Sequence, residues 1–327
     1  MSDNIIQHRS TLEIFPDELF FELFEYIPLN DLYRIFFGLN KRINIILKNL
    51  SNLFAEWTTH NDDKIIDIFS TSISRLVIWR GGYLNLNRFI KLRSLKLALP
   101  TIEQCNEIQS SLILEHLHIE STINKRKISE QLSLLFLTNS FPRLRTCQID
   151  EIQFDKNIFH IKPTLLSLIT YTQYPGQLLS LCSNLKYLRL NLKDNINEFS
   201  SFDIHLNLRY LQIGIYSIEI NLSTIETILS LTPNLIRFKF DGPCIPPSQN
   251  KLDIYSLASV FTRFLTKLCF IHISLPLNDN QSDSKEFENE KESLKKLHPL
   301  FNYIIFRPRS FYAPGRLLIS SINDSKT

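Results

Sequence analysis

The chain changes its hydrophobic rhythm once. Through the first fifty residues apolar side chains recur at helical spacing, and beyond residue 70 they recur at alternate positions within short runs. Leu19, Phe20, Leu23, Phe24 and Ile27 follow the i, i+1, i+4, i+5, i+8 order of one helical face, which predicts a helix from Pro16 to Ile27. Pro16 suits a first turn, where its missing N–H is no loss, and Asp17 and Glu18 favour the positive end of the helix dipole. Pro28 ends it. A second helix is predicted from about Asn30 to Phe37, with Asn30 as N-cap. A third runs from Lys41 to Leu50 with Ile43, Ile46, Leu47 and Leu50 on one face. Three helices in so short a segment cannot bury all this surface alone. Phe15–Phe24 carries four Phe in ten residues, and Phe21, Phe36 and Phe37 are left without a place on the three faces.

After a connector (51–72) the pattern becomes L-x-x-L-x-L. It reads Ile73-Ser-Arg-Leu76-Val-Ile78, Leu92-Arg-Ser-Leu95-Lys-Leu97, Leu114-Glu-His-Leu117-His-Ile119 and Leu144-Arg-Thr-Cys147-Gln-Ile149. A weaker copy starts at Leu165 and places Thr170 third. Clear copies resume at Leu185, Leu208 and Leu235, and a last one fits Leu268-Cys-Phe-Ile271-His-Ile273. The starts are 19, 22, 30, 21, 20, 23, 27 and 33 residues apart. Such spacing predicts a solenoid of about nine repeats over 73–277, each a short parallel strand with aliphatic side chains inward and a return along the outside. The returns Ser223–Leu231 and Asp253–Phe264 read as helical. The fold class is therefore α/β: a small N-terminal three-helix unit (10–50), then an irregular, curved parallel sheet with helical or irregular outer returns.

Two stretches break the rhythm. Gly242-Pro-Cys-Ile-Pro-Pro-Ser-Gln reads as a loop, and 278–298 is so charged that an exposed loop is expected. Residues 299–327 are expected to form a C-terminal cap and tail, covering a sheet edge that would otherwise be bare.

Composition narrows the function. The 327 residues are 44% hydrophobic, enough for a sizeable core, and the net charge of +3 lacks the basic excess of a nucleic-acid binder. No signal-peptide pattern and no long apolar run is present, so no membrane association is expected. Five cysteines (Cys105, Cys147, Cys182, Cys244, Cys269) form no CxxC pair and read as reduced thiols, which predicts a cytoplasmic or nuclear protein. Only seven Gly occur and no phosphate-binding Gly motif is found, so no cofactor is expected. His116 and His118 share a face, but no third ligand lies at useful spacing on that strand, so no metal site is expected. Nothing points to catalysis.

Alternation leaves the outward strand positions for recognition. Aromatic and Arg side chains are the usual anchors of protein interfaces, which selects Arg75, Trp79, Lys96, His116, His118, Tyr187, Arg189, Tyr210, Arg237 and Lys239 as candidate target-binding residues.

Residues 12–50 resemble an F-box. Phe15-Pro-Asp-Glu-Leu19 matches that family's L-P-x-E-[IL] start, and Leu23, Phe24 and Ile27 match the apolar positions that follow. Asp31-Leu32 matches its D-L pair, and Leu39-Asn-Lys-Arg42 stands where the family has V-[CS]-[KR]-[RK]. The family's next aromatic is Ile43 here. Placement before repeats similar to leucine-rich repeats resembles the F-box/leucine-rich-repeat class, although the usual Asn after each strand is absent. The resemblance implies a non-catalytic substrate receptor of an SCF-type ubiquitin ligase. Its partners would be a Skp-type adaptor, through it a cullin, and a protein target on the concave repeat face. Carried over by position, Pro16, Leu19, Phe20, Leu23, Phe24, Ile27, Leu32 and Leu39 would dock or support the adaptor. The alternative is a repeat scaffold without ligase recruitment, its helices serving only as a solenoid cap.

Overall fold

The computed structural model describes residues 14–58, 63–79, 84–108, 113–120, 130, 133, 141–152, 164–192, 203–215, 222–242, 254–276, 284–307 and 316–321. The chain divides into two compact units, Met1–Ile123 and Asn124–Thr327. The division falls in the 30-residue gap of the predicted repeat block.

The first unit opens with α1 (Asp17–Phe24), α2 (Leu29–Phe36) and α3 (Lys41–Asn49). Their shared core is aromatic and aliphatic. Phe24 packs on Phe20 and Phe36 at ring separations of 5.4 and 4.8 Å, and Leu29, Leu32, Ile43, Ile46 and Leu47 close around them. Asn40 caps α3, its Oδ1 accepting from Ile43 N–H at 2.8 Å. Asn30 is not the cap of α2. Pro28 holds an extended backbone before the first helical residue, Leu29, and Asn30 sits in the first turn, its Nδ2 donating to Glu56 O at 3.2 Å. Phe37 is also used, stacking on Tyr33 at 4.6 Å and meeting Phe69 edge-on at 6.2 Å.

The connector is itself built like a repeat, contrary to expectation. It forms β1 (Leu53–Trp57) and α4 (Asp63–Phe69), and β1 pairs in parallel with β2 (Ile73–Ile78), Ala55 opposite Leu76 and Trp57 opposite Ile78. Leu53, Ala55 and Trp57 all point inward and are buried. The template missed them because Ala and Trp stand where Leu is usual. The unit continues with β3 (Ser94–Ala98), α5 (Ile102–Ile108) and β4 (His116–Glu120), all four strands parallel in chain order.

The second unit holds β5 (Thr146–Glu151), β6 (Ser167–Thr172), α6 (Pro175–Leu181), β7 (Tyr187–Leu192), β8 (Tyr210–Ile215), α7 (Leu222–Ser230), β9 (Arg237–Asp241), α8 (Ile254–Phe264) and β10 (Phe270–Pro276). These strands are parallel and adjacent in order. The predicted inward positions pair with one another: Leu188 faces Leu168 and Leu211, and Phe240 faces Ile213 and Ile273. All six are fully buried. The helical returns α7 and α8 form where expected. The Gly242–Gln249 loop falls outside the described residues beyond Gly242.

Two ladders replace the missing Asn series. Among the described residues the carbonyls of Arg93, Arg145, Leu166, Lys186, Arg209 and Ile236, each at a repeat's second position, accept two successive N–H groups from the next repeat; Lys186 O takes Arg209 and Tyr210 at 3.0 Å each. At the heads of three strands, the side chain of the residue before the first Leu donates back to the preceding repeat. Thr164 reaches Pro142 O at 3.1 Å, Asn207 reaches Ser183 O at 2.9 Å and Asn234 reaches Leu206 O at 3.0 Å. Backbone acceptors between repeats thus find donors.

Residues 284–297 form a helix, α9 (Ser284–Leu297), where a charged loop was expected. Glu, Lys and Leu are good helix formers, and the buried Leu294 anchors one narrow side. The last strands, β11 (Tyr303–Arg307) and β12 (Arg316–Ser320), are antiparallel. β12 pairs with β10 and β11 lies outside it. The C-terminal segment thus covers the edge of β10 by pairing with it, and carries the sheet two strands further. Among the described residues no helix is long and apolar enough to cross a membrane.

Candidate docking surfaces

The α1 helix carries two adjacent apolar stripes. Phe20 and Phe24, one turn apart, face inward. Leu19 and Leu23, also one turn apart, are 46% and 50% exposed, and Tyr26 beyond the helix is 86% exposed. This divides the predicted docking set. Phe20, Phe24 and Leu32 are at most 2% exposed and belong to the bundle core, so a partner cannot touch them. Pro16, Leu19, Leu23 and Leu39 are exposed, and Ile27 is half-buried. Pattern reasoning missed Ile14, Phe15 and Ile35, all exposed. The α1 head is tied to α3 by Arg42, whose Nε and Nη2 donate to Asp17 Oδ1 at 2.8 and 2.6 Å and whose Nη2 also reaches Phe15 O at 2.6 Å. That fork leaves Leu19 and Leu23 on a fixed surface.

The candidate target-binding residues fall into two groups, one in each unit. In the first unit, Arg75 and His116 are exposed, while Trp79, Lys96 and His118 answer one another and Glu120. Lys96 Nζ lies 4.7 Å from the Trp79 ring centroid and 2.8 Å from Glu120 Oε1, and His118 Nε2 lies 3.0 Å from the same oxygen. The Lys96 hydrogen bond holds the Glu120 carboxyl below the usual carboxylate range, against partial desolvation. The Lys96 charge is thus largely spent inside the molecule.

In the second unit, Tyr187 and Tyr210 stack across β7 and β8 at 4.4 Å. Burial raises the Tyr210 hydroxyl above its ordinary pKa, and Tyr187 adds to the shift. Arg237, opposite Tyr210, is exposed. Gln212 Nε2 donates to Asp241 Oδ2 at 3.0 Å, and Lys239 Nζ lies 3.7 Å from that oxygen. The outward row does not stay open along its length: Asn191, Gln212 and Ser274 are 5–6% exposed. Arg189 stands between, half-buried, its Nε without a hydrogen-bond partner.

Among the described residues no three His, Cys, Asp or Glu side chains converge as metal ligands. Burial pushes the Cys105 and Cys182 thiols up to about 12 and Cys147 higher still, so these are core thiols and poor nucleophiles. His205, also buried, donates from Nε2 to Cys182 O at 2.9 Å and accepts from Leu208 N–H on Nδ1 at 3.1 Å, so both ring nitrogens are tied to backbone in a structural role.

No family model matches the chain, and no curated protein matches it at a significant level.

Proposed function

We propose that this chain is a substrate receptor of an SCF-type ubiquitin ligase, with an F-box over residues 12–50 and leucine-rich repeats behind it. The exposed Leu19–Leu23 stripe supports the reading above all else. A helix that only capped the sheet would need one apolar face, and α1 carries a second, held rigid by the Arg42 fork. A Skp-type adaptor would cover that stripe and link the chain to a cullin, while the open strand face would hold a protein target. The chain would do no chemistry; it would raise the effective concentration of target lysines near a ubiquitin-charged enzyme.

The test is co-elution of the full chain with a purified Skp-type adaptor, and its loss when Pro16→Ala and Leu19→Ala are combined. Unchanged co-elution of a folded double variant defeats the docking assignment.

One observation favours the scaffold reading. The helices do cover the first strand and the helix after it, β1 through the Asn30–Glu56 hydrogen bond and α4 through the Phe37–Phe69 contact. Deletion of residues 1–50 separates the two: a cap alone leaves the repeats exposed and unstable with no effect on any adaptor, whereas a docking module takes adaptor binding with it.

A further inference from the structure

β11 is the last strand in the order of the sheet. β12 pairs with it on one side, and among the described residues no strand or backbone hydrogen bond meets its other side. In the first unit the outermost strand, β1, is met by α2, Asn30 Nδ2 donating to Glu56 O. Natural edge strands are guarded against pairing by Pro, Lys, a bulge or short length. Tyr303-Ile-Ile-Phe-Arg307 has no Pro, Gly or Lys, and its five pairs with β12 run without a shift of register. The surface beside this edge differs from the rest of the face. Register sets Ile305, Leu318, Ser274 and Asp241 side by side, so the row is polar on β9 and β10 and turns apolar on the last two strands. Tyr303 and Ile305 are 41% and 40% exposed and Leu318 is half-buried. An open ladder and an exposed apolar row on one strand call for another strand.

The strand's own sequence names its complement. A copy laid antiparallel about Ile305 sets Ile305 across from the partner's Ile305, Ile304 across from the partner's Phe306 and Tyr303 across from the partner's Arg307. Apolar residues meet apolar residues, the one charge meets an aromatic ring, and no like charges face each other. Two-fold symmetry repeats each match. The charge along α9 agrees. This helix packs against both α8 and β11, so it flanks the edge without covering it, and the two-fold sets it antiparallel to its copy. Residues 284–292 carry four Glu and two Lys, while 293–297 carry two Lys and no acid, so unlike charges come alongside. A five-residue ladder covers less than the about 1,200 Å² of a stable interface, which sets a weak, micromolar association.

We propose that β11 is a dimerisation edge, through which two copies of this chain join antiparallel about Ile305 into one continuous sheet. Tyr303, Ile305 and Leu318 of each copy then meet those of the other in a single apolar row. The Leu19–Leu23 stripe lies in the other unit, and the inference does not depend on what that stripe binds.

The experiment is sedimentation of the full chain between about 1 and 200 µM, where a shift from monomer to dimer with a Kd of about 1–100 µM is expected. Ile305→Lys sets two like charges opposite each other and raises that Kd about tenfold or more, while the monomer keeps its melting transition. A second measurement reads the register and does not rely on that variant. Ile305→Cys, combined with Cys244→Ser and Cys269→Ser, is treated with diamide, which takes up the two thiol hydrogens as a disulfide forms. The paired Cα atoms at this position stand about 4.5–5.5 Å apart, within disulfide reach. Tyr303→Cys in the same background leaves its two thiols four residues, or roughly 14 Å, apart. Ile305→Cys therefore gives a covalent dimer on a non-reducing gel and Tyr303→Cys does not. A chain that stays monomeric at about 200 µM overturns the proposal and leaves the edge to a strand of another protein. A dimer that Ile305→Lys leaves intact overturns it as well. Cross-linking by Tyr303→Cys equal to that by Ile305→Cys overturns the antiparallel register.

Discussion

Replacing Leu19 and Leu23 together by Ala separates the surface of α1 from its core. Each side chain is about half exposed in the free chain. Fully burying a Leu is worth about 1.5–3 kcal/mol, so about half of that remains for a partner to gain at each position. The pair therefore contributes about 1.5–3 kcal/mol to docking, or about 10- to 150-fold in Kd. The control is Phe20→Ala. Phe20 is 2% exposed and packs on Phe24 and edge-on against Phe15, so its loss opens a cavity and costs about 3–5 kcal/mol of folding stability. The assay is calorimetric titration of each variant with a purified Skp-type adaptor, beside a thermal melt. The reasoning is refuted if the Leu pair melts like the parent chain and binds within about threefold of it. It is refuted equally if both variants weaken binding only in step with the fraction unfolded.

Three further outcomes are expected. His298 is buried against Phe261 and Phe301, its Nδ1 accepting from Leu300 N–H at 3.2 Å, and burial lowers its pKa. The unfolded chain then takes up a proton near the ordinary value of about 6.5 while the folded chain does not. Its contribution to stability is full above that pH and declines as pH falls below it towards the folded value. Denaturant melts between about pH 7.5 and 5 should show this slope, and His298→Phe should flatten it; an unchanged slope rules His298 out as the cause. A thiol reagent at about pH 8 should modify exposed Cys269 in the native chain and spare Cys105, Cys147 and Cys182 until denaturant is added, as read by peptide mass spectrometry. Asn207→Ala combined with Asn234→Ala should cost about 1 kcal/mol in a urea melt by breaking two rungs between repeats, and no loss at all would mean water replaces them.

Where sequence reading succeeded and failed follows from the range of the signal. The nine copies beginning at Ile73 were legible because strand alternation has a period of two and needs only six residues to declare itself. β1 escaped because Ala55 and Trp57 keep the alternation and abandon the Leu template. The α9 helix escaped for the opposite reason: its high charge reads as lack of structure, although its residue types favour helix and Leu294 gives it an anchor. The rungs made by Thr164, Asn207 and Asn234 lie before the first Leu of their repeats, at the opposite end of the strand from the usual Asn, and a side chain's partner one repeat away leaves no local pattern.

By itself the sequence determined which side chains of the strands that keep the Leu template turn inward, where α1, α2, α3, α7 and α8 fall, and that the N-terminal segment has more apolar surface than its bundle can bury. Those are local properties, set by backbone periodicity and side-chain type. Only the tertiary structure decided that Phe20, Phe24 and Leu32 are consumed by the bundle while Leu19 and Leu23 are left outside. It alone decided that Lys96 is met by Glu120, and that Asn191 is closed off from water while its Oδ1 lacks a partner. Exposure and pairing depend on which distant residues arrive alongside, and a one-dimensional pattern carries no record of that.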